Sequence, residues 1–367
     1  MSSPRPIRVA VIFGGRSTEH AISCVSAGSI LQVLDPGEFD VVPIGITRAG
    51  RWVLTSGSAG LAIDGKRLPE ITERSGDAAL VLPDPTIRSV DVLAATDGAQ
   101  VLADIDVVFP VLHGAYGEDG TIQGLLEMAG IPYVGAGVFA SAAGMDKEFT
   151  KKLATVEGIP TGPYTVLRPG QQLSETDKKR LGLPVFVKPS RAGSSIGITK
   201  VSDWADLDEA LDMARQVDPK VIVESMIVGR EVECGVLEGV DGGPAEASPP
   251  AEIRVLRDRE FYDFEAKYLD ADQVCEFDLP ADLPPGVADR VRRYAVRTFD
   301  ALDCAGLARV DFFVTPTMDV YLNEINTMPG FTPDSLFPRM WATSGLTYPA
   351  LIARLLRTAL HRGTGLR

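Results

Sequence analysis

The chain has 367 residues, 45% hydrophobic and 23% charged, the make-up of a globular protein of two or three domains. Its 36 Lys and Arg against 50 Asp and Glu leave a net charge of −14. That balance argues against nucleic acid or an anionic membrane as the main partner, since both need clustered basic residues. No apolar run approaches the ~18 residues of a membrane-spanning helix.

Residues 1–15 (MSSPRPIRVAVIFGG) enter a strand pattern directly, without the apolar core of a signal peptide, so a cytoplasmic protein is expected. Residues 7–15 read as a buried strand ending in a glycine turn. A helix follows over 19–34, with Ile22, Val25, Ser26 and Ile30 on one face, and then a strand over 39–47. This β-α-β opening predicts a parallel sheet. Residues 55–100 are rich in Gly, Pro and Ser and predict short strands and loops. A strong strand spans 105–114 and a helix spans 120–130, closed by Gly130.

The texture changes near residue 138. DKEFTKKLATVEG is a charged amphipathic helix ending at Gly158. Residues 183–201 read as a strand, a small-residue loop and a returning strand. A helix over 204–217 and a strand over 220–227 lead into GREVECGVL. Residues 240–252 are a Pro- and Gly-rich loop, 286–302 a helix, and GLARVDFFV and VYLNEIN two strands. YPALIARLLRTALHRG is a terminal amphipathic helix. Alternating helices and strands throughout predict an α/β protein of about three domains.

Four cysteines (Cys24, Cys234, Cys275, Cys304) lie far apart with no Cys-x-x-Cys, which fits neither a zinc site nor a disulfide framework. Cys24 sits in a helical pattern and Cys234 in a strand pattern, as buried free thiols would. The three histidines form no His-x-x-x-His pair.

The end of VYLNEIN places Glu324 and Asn326 on one strand face, because side chains alternate. Its neighbour ARVDFFV carries Arg309 and Asp311 in the same phase. The link TPTMD is short enough for a hairpin. A tight turn centred on Thr317-Met318 would set Asp311 opposite Glu324 and Arg309 opposite Asn326, leaving Val310, Phe312, Asn323 and Ile325 on the other face. Two carboxylates and an amide oxygen side by side suit a hard cation such as Mg²⁺. Arg309 beside them suggests a second anionic species, a phosphate or a developing oxyanion. An exposed hairpin face with Arg–Asp and Glu–Asn pairs would present the same residues.

Other segments lean toward phosphate chemistry. KPSRAGSSIG has Lys188 at a strand end and a loop with free backbone N–H groups, although it is not a Walker motif. Lys147 begins a helix, where the dipole favours anions. Glu224 and Glu231 flank the strand end VESMIVGREVE, where acidic groups could hold an adenine amino group and ribose hydroxyls, or simply face solvent.

Taken together, FGGRSTEHAIS, VFPVLHGAYGEDGTIQG, GVFASAAGMDKEFTK, LPVFVKPSRAGSSIG, FYDFEAKY, LARVDFF and NEINTMPGFTPDS resemble, in order and spacing, the D-alanine–D-alanine ligases of the ATP-grasp superfamily. The departures are the weak segment 55–100, the Pro-rich segment 240–251, the C-terminal extension, and Ala251 where many relatives carry Gly. The resemblance implies a three-domain ATP-grasp fold: an N-terminal parallel-sheet domain (1–138) with the first-substrate site, a central subdomain (139–230), and a C-terminal subdomain (231–367) with lid and metal site. It implies the reaction of two D-alanines with ATP to give D-alanyl-D-alanine, ADP and phosphate for peptidoglycan precursors.

On that resemblance, Lys147, Lys188, Glu224, Ile227, Glu231 and Lys267 would hold ATP. Asp311, Glu324 and Asn326 would hold two Mg²⁺ or Mn²⁺ ions, with K⁺ a further candidate ion. Arg309 and the Gly330 N–H would stabilise the tetrahedral oxyanion. Glu19 would take the ammonium of the first D-alanine, and His113 would approach the same substrate. Ser335 and Lys267 would take the second D-alanine's carboxylate. Ser194 and Tyr268 would join Glu19 in closing the site beneath a lid over about 257–277. A homodimer through the N-terminal domain is implied as well. The rival readings are a D-alanine–D-lactate ligase and, in another class, a nucleotide-binding regulatory protein without catalysis. The retained Arg309, Asp311, Glu324 and Asn326 set argues against the latter.

Overall fold

The computed structural model describes residues 5–58, 60–65, 67–87, 89–94, 98–193, 196–255 and 275–365. Ser194, Lys267, Tyr268 and the expected lid, apart from residues 275–277, lie outside the described residues.

The first sheet runs in the order β6-β5-β4-β3-β2-β1-β7. Its strands are β1 (Ile7–Gly14), β2 (Phe39–Ile46), β3 (Trp52–Leu54), β4 (Asp77–Val81), β5 (Ser89–Ala94), β6 (Gly98–Asp104) and β7 (Val107–Val111). Strand β1 is parallel to β2 and β7. Helix α1 (His20–Val33) makes the first crossover. The segment Val9–Phe13 is wholly buried, as a strand covered on both faces should be. At Gly14 the chain leaves the sheet with φ +87°, and a Cβ there would meet the Ile46 carbonyl oxygen at 2.4 Å.

The expectation of a parallel sheet holds only for this core. Residues 52–104 add an antiparallel flank, each strand pairing with its predecessor. Among the described residues no helix intervenes between these strands, and a parallel return is usually made through a crossover helix, so neighbours without one pair antiparallel.

Helices α2 (Thr121–Ala129), α3 (Val138–Met145) and α4 (Lys147–Val156) lead to a second sheet of order β10-β9-β11-β8. It comprises β8 (Tyr164–Leu167), β9 (Val185–Pro189), β10 (Thr199–Val201) and β11 (Val221–Ser225), with α5 (Glu175–Leu181) and α6 (Leu207–Val217) alongside. Gly130 caps α2 in the left-handed conformation, as its place in the sequence predicts. Periodicity does not mark α3, α5 or β8. The signal for α5 is Ser174, which accepts the Asp177 N–H as a cap three residues ahead.

The third sheet has the path β15-β14-β12-β16-β17, with β13 paired to β12. Its strands are β12 (Arg230–Leu237), β13 (Glu246–Ala247), β14 (Ala251–Val255), β15 (Cys275–Asp278), β16 (Leu307–Val314) and β17 (Val320–Asn326). Helix α7 (Pro285–Ala301) lays Val287, Val291, Ala295 and Phe299 against Val232, Cys234, Val310 and Phe312. Each large apolar side chain buried there contributes roughly 1.5–3 kcal/mol. Alternation then turns Glu231, Glu233, Arg309, Asp311 and Glu324 to the opposite face. Packing against one helix thus decides which face of the sheet carries charge.

The last helices, α8 (Leu336–Thr343) and α9 (Tyr348–Arg362), return to the first sheet. Leu351, Ile352, Leu355, Leu356 and Ala359 share a core with Val9, Val11, Phe13 and Phe109. Arg362 donates to the Tyr133 carbonyl at 2.6 Å, and Arg357 pairs with Glu38 at 2.6 Å. Among the described residues no helix is long and apolar enough to cross a membrane. Cys24 and Cys234 are buried free thiols, as expected.

The β16–β17 hairpin corrects the expected turn. The link has three residues between Thr315 and Asp319, whose backbones bond at 2.9 Å, and Met318 takes φ +65°. A turn centred on Thr317-Met318 is therefore replaced by one centred on Thr317, and Val314 pairs with Val320. The one-residue offset is absorbed by a bulge between Asp311 and Phe312 that leaves Asn323 over. Below the bulge, Asp311 faces Glu324, Val310 faces Ile325 and Arg309 faces Asn326, as the strand phase predicts. Asn323 does not join the apolar face. It lines the cleft, and its carbonyl accepts from Lys151 at 3.4 Å.

Candidate active site

The second and third sheets enclose a cleft of about 330 Å³. Lys147, Lys188, Glu224, Ile227, Glu231, Arg309, Asp311 and Glu324 all line it. They are separated by up to 177 residues of chain, from Lys147 to Glu324, yet each arrives by a simple local rule. Lys188 and Glu224 lie on neighbouring antiparallel strands near the strand ends. Ile227 follows β11, and Glu231 and Arg309 alternate outward from β12 and β16. Lys147 opens α4, whose N-cap is Asp146.

Glu224 is the electrostatic centre of the upper cleft. Its two oxygens meet Lys151 at 2.9 Å and Lys188 at 2.8 Å. Burial pushes its carboxyl up, but the two ammonium groups outweigh that and hold it well below the usual carboxylate range. Burial likewise works against the charge of Lys188, and Glu224 overcomes it, so the Lys188 pKa is raised. Lys151 is absent from the sequence expectations. Its signal was the i, i+4 spacing from Lys147 in KEFTK, which sets both on one helical face.

Lys147 reaches across the cleft. Its ammonium donates to the Ala192 carbonyl at 2.7 Å and lies 3.4 Å from Glu324. It therefore spans the small-residue loop after β9 and the polar strand face of β17. Asp146 anchors this arrangement. It accepts from Ser190 Oγ at 2.8 Å and pairs with the buried Lys220. The Lys147 N–H donates to the Ser190 carbonyl at 3.0 Å.

At the floor, Arg309 grips Asp311 through two bonds of 2.8 and 2.7 Å and meets Glu233 at 3.0 Å. Burial opposes the guanidinium charge, yet Asp311, Glu233 and Glu324 raise its pKa well above the ordinary value. Asn326 Nδ2 donates to Asp311 at 3.0 Å. Glu233 is a second partner that sequence reasoning did not name. It follows Glu231 by two residues in REVECGV, so alternation puts both on the cleft face.

Among the described residues, no group of three or more His, Cys, Asp and Glu is placed to hold a metal ion. The set on β16 and β17 differs in kind, with two carboxylates and an amide. It fits a hard dication by its chemistry: oxygen donors only, Asp311 9% exposed and directly across from Glu324. The cations Arg309 and Lys147 already balance part of this negative charge.

A second group lies where the first sheet meets the loop after β17. Glu19 precedes α1 and is buried. Gly114 sits beside it at φ +72°, where a Cβ would lie 2.7 Å from the Glu19 carboxylate. His113 Nδ1 is 2.9 Å from the Met328 carbonyl, which can only accept, so Nδ1 carries the proton. Burial lowers the His113 pKa, so the ring is neutral near pH 7. Ser26 Oγ lies 3.4 Å from its other nitrogen. Two residues beyond Met328 comes Gly330, and Ser335 at the start of α8 accepts the Thr332 N–H at 3.0 Å. Glu19, His113, Gly330 and Ser335 thus gather on the first-sheet side, while the lysines and Glu224 gather between the other two sheets.

An α/β sheet joined to two further sheets that close on a lysine-lined cleft, with acids and arginine on its floor, defines the ATP-grasp class of fold. Two family models match the chain: D-ala D-ala ligase N-terminus over residues 8–136 and D-ala D-ala ligase C-terminus over residues 153–357. The chain is 62% identical over 374 residues to a D-alanine–D-alanine ligase of Mycobacterium avium (strain 104), covering 100% of both chains. Among solved structures, it is similar to the VanG D-Ala:D-Ser ligase of Enterococcus faecalis, with 35% identity, TM-score 0.81, and 97% and 100% of the two chains covered. It is also similar to the D-alanine–D-alanine ligase of Coxiella burnetii, with 34% identity, TM-score 0.81, and 98% and 95% covered. The chain belongs to the D-alanine–D-alanine ligase family.

Proposed function

We propose that this protein joins two D-alanine molecules in an ATP-dependent reaction through an acyl phosphate, for peptidoglycan precursor synthesis. The observation that carries the reading is the single cleft lined at once by Lys147, Lys188, Glu224, Arg309, Asp311 and Glu324. A carboxylate is a poor electrophile. Transfer of the γ-phosphoryl group to one D-alanine carboxylate releases ADP and leaves phosphate as the next leaving group. The amine of the second D-alanine, once it has lost a proton, then attacks the carbonyl carbon, forming the amide and expelling phosphate. Such transfer needs charge neutralisation and alignment more than covalent help.

In this reading Lys147 and Lys188 hold phosphate oxygens, and Lys267 completes the set. Glu224, Ile227 and Glu231 border the nucleoside. Asp311, Glu324 and Asn326 hold the divalent ions, Mg²⁺ or Mn²⁺, which neutralise charge on the phosphates. Two ions per site and a role for K⁺ remain part of the proposal. Arg309 and the Gly330 N–H face the developing oxyanion, where one well-aimed donor is worth roughly 3–4 kcal/mol. Glu19 and His113 take the first D-alanine. Ser335 and Lys267 take the second D-alanine's carboxylate, with Ser194 and Tyr268 closing the site. The division into 1–138, 139–230 and 231–367, the lid over 257–277 and a homodimer belong to the same proposal. Sedimentation of the purified protein tests the last.

The similarity to a D-Ala:D-Ser ligase makes the acceptor the finer question. The assay is phosphate release with ATP and D-alanine, compared with D-serine, D-lactate and L-alanine. Fast release with D-alanine, and D-alanyl-D-alanine as main product, is expected. No release with D-alanine, from a folded protein supplied with Mg²⁺ and K⁺, overturns the reading.

A further inference from the structure

The segment HGAYGEDGT, after β7, contains an acid to which the mechanism above gives no work. Glu118 sends its two carboxylate oxygens in opposite directions. Oε2 accepts the Gly114 N–H at 2.7 Å, within its own loop. Oε1 accepts the Met328 N–H at 2.9 Å, across 210 residues of sequence. The Met328 carbonyl is held at the same time by His113 Nδ1 at 2.9 Å. Both polar groups of one residue in the loop after β17 are thus tied to the loop after β7.

The location gives these bonds their meaning. Met328 follows Asn326 by two residues and precedes Gly330 by two. Gly114, the other end of the clamp, lies against the Glu19 carboxylate. Ser17 Oγ donates to the His113 carbonyl at 2.7 Å and accepts the Glu19 N–H at 3.2 Å. Glu118 therefore connects the Glu19–His113 side of the site to the loop that carries the Gly330 N–H. The setting opposes its charge: burial, then repulsion from Glu19, push its carboxyl up to about 8, although both N–H bonds and Arg309 pull it down. An acid kept in a place that disfavours it, with each oxygen engaged, is doing something an apolar or amide side chain would not.

We propose that Glu118 is a positioning residue of the ligation reaction: by holding the Met328 N–H while His113 holds the Met328 carbonyl, it sets the Gly330 N–H at the distance the tetrahedral oxyanion requires. The inference rests on the ligase reading above. Glu118 touches no reacting atom; it acts through Met328.

Glu118→Gln tests it with little change in shape. Glutamine has one acceptor oxygen, and its amino group would face an N–H donor, so one of the two bonds must go. A displacement of about 1 Å in such a group costs about a hundredfold in rate. The expected result is a fall in kcat of that order with KM for ATP unchanged, because the lysines and Glu224 lie outside this network. Glu118→Asp keeps the carboxyl group but loses reach, so it should not restore kcat. It also serves as the test should Glu118→Gln fail to fold. Combined with His113→Ala, Glu118→Gln should lose little more than the worse single variant, since both hold the same residue, Met328.

Wild-type kcat in Glu118→Gln, full rescue by Glu118→Asp, or losses that simply multiply in the double variant overturn the proposal. So does a rise in KM for ATP with kcat intact. If the unaltered protein makes no dipeptide, the ligase reading falls and this inference with it. An active unaltered protein beside an equally active Glu118→Gln removes the positioning role alone.

Discussion

Asp311 stands directly across from Glu324 in the antiparallel pair of β16 and β17, one step before the bulge that shifts the rest of the hairpin. The alignment survives because two irregularities cancel: a turn one residue off the simplest one, and one residue left over in β17. Selection for facing carboxylates would explain a bulge at this place, since bulges re-aim side chains beside active sites.

Replacing one of these acids without changing its size isolates the charge. Glu324→Gln should lower turnover at least about a hundredfold at saturating Mg²⁺. The fold should persist, because Glu324 is 29% exposed at its side chain and its neighbour Lys147 retains the Ala192 carbonyl. Circular dichroism and a steady-state assay on the same sample check both. Normal turnover in a folded variant would remove Glu324 from the metal set.

The Glu224 clasp makes a stability prediction with a definite sign. Its carboxyl is held well below 4.5 by Lys151 and Lys188, against the effect of burial. The clasp therefore contributes its full stabilisation above about pH 4.5, and loses it progressively as pH falls from there to below the lowered folded-state pKa. Glu224→Gln leaves two buried ammonium groups short of a counter-charge, a loss of about 3 kcal/mol at pH 7. Urea unfolding at pH 7, 5 and 3.5 should show that gap constant down to about 4.5 and narrowing below. A gap that widens on acidification contradicts the assignment.

Burial makes the thiols of Cys24 and Cys234 poor nucleophiles, each pushed up to about 12. Alkylation requires the thiolate. At pH 8 neither should react in the native protein, and both should react in urea, where their pKa returns to about 8.5. Peptide mass mapping after a timed alkylation reads this. Native labelling of Cys234 would mean that the α7 face of the third sheet opens.

The proposed acceptor choice rests on Tyr268, which lies outside the described residues, and so on sequence alone. D-alanine arrives as a zwitterion that must lose a proton before attack; D-lactate arrives as a simple anion. Within the family that the chain resembles, Tyr in this motif goes with dipeptide formation and Phe with the D-lactate-using type. D-alanine should be the preferred acceptor at neutral pH. Tyr268→Phe, by removing one hydroxyl worth about 1–3 kcal/mol if buried, should shift the product ratio tenfold or more toward D-alanyl-D-lactate. The shift should be largest at low pH, where free amine is scarce. Product analysis with both acceptors across pH 6 to 9 decides it.

Strand phase alone places Arg309, Asp311, Glu324 and Asn326 on one face, because a period of two leaves no other arrangement once Val310 and Ile325 seek the core. Helix spacing marks Lys147 and Gly130 in the same local way. Composition, the order of the motifs and the family they resemble are likewise properties of the linear chain. Tertiary structure decided what no local period encodes. The bulge at Asp311/Phe312 depends on the length of a turn closed by Met318 in the left-handed region. The antiparallel flank of the first sheet depends on which short strands find an edge. Lys151 and Glu233 are ordinary charged residues until α4 and β12 bring them to Glu224 and Arg309. Glu118 and Met328 are 210 residues apart and share no periodicity. Their bond exists because α9 packs back on the first sheet and brings the loop after β17 against the loop after β7, and burial then makes a hydrogen bond between them too costly to leave unmade.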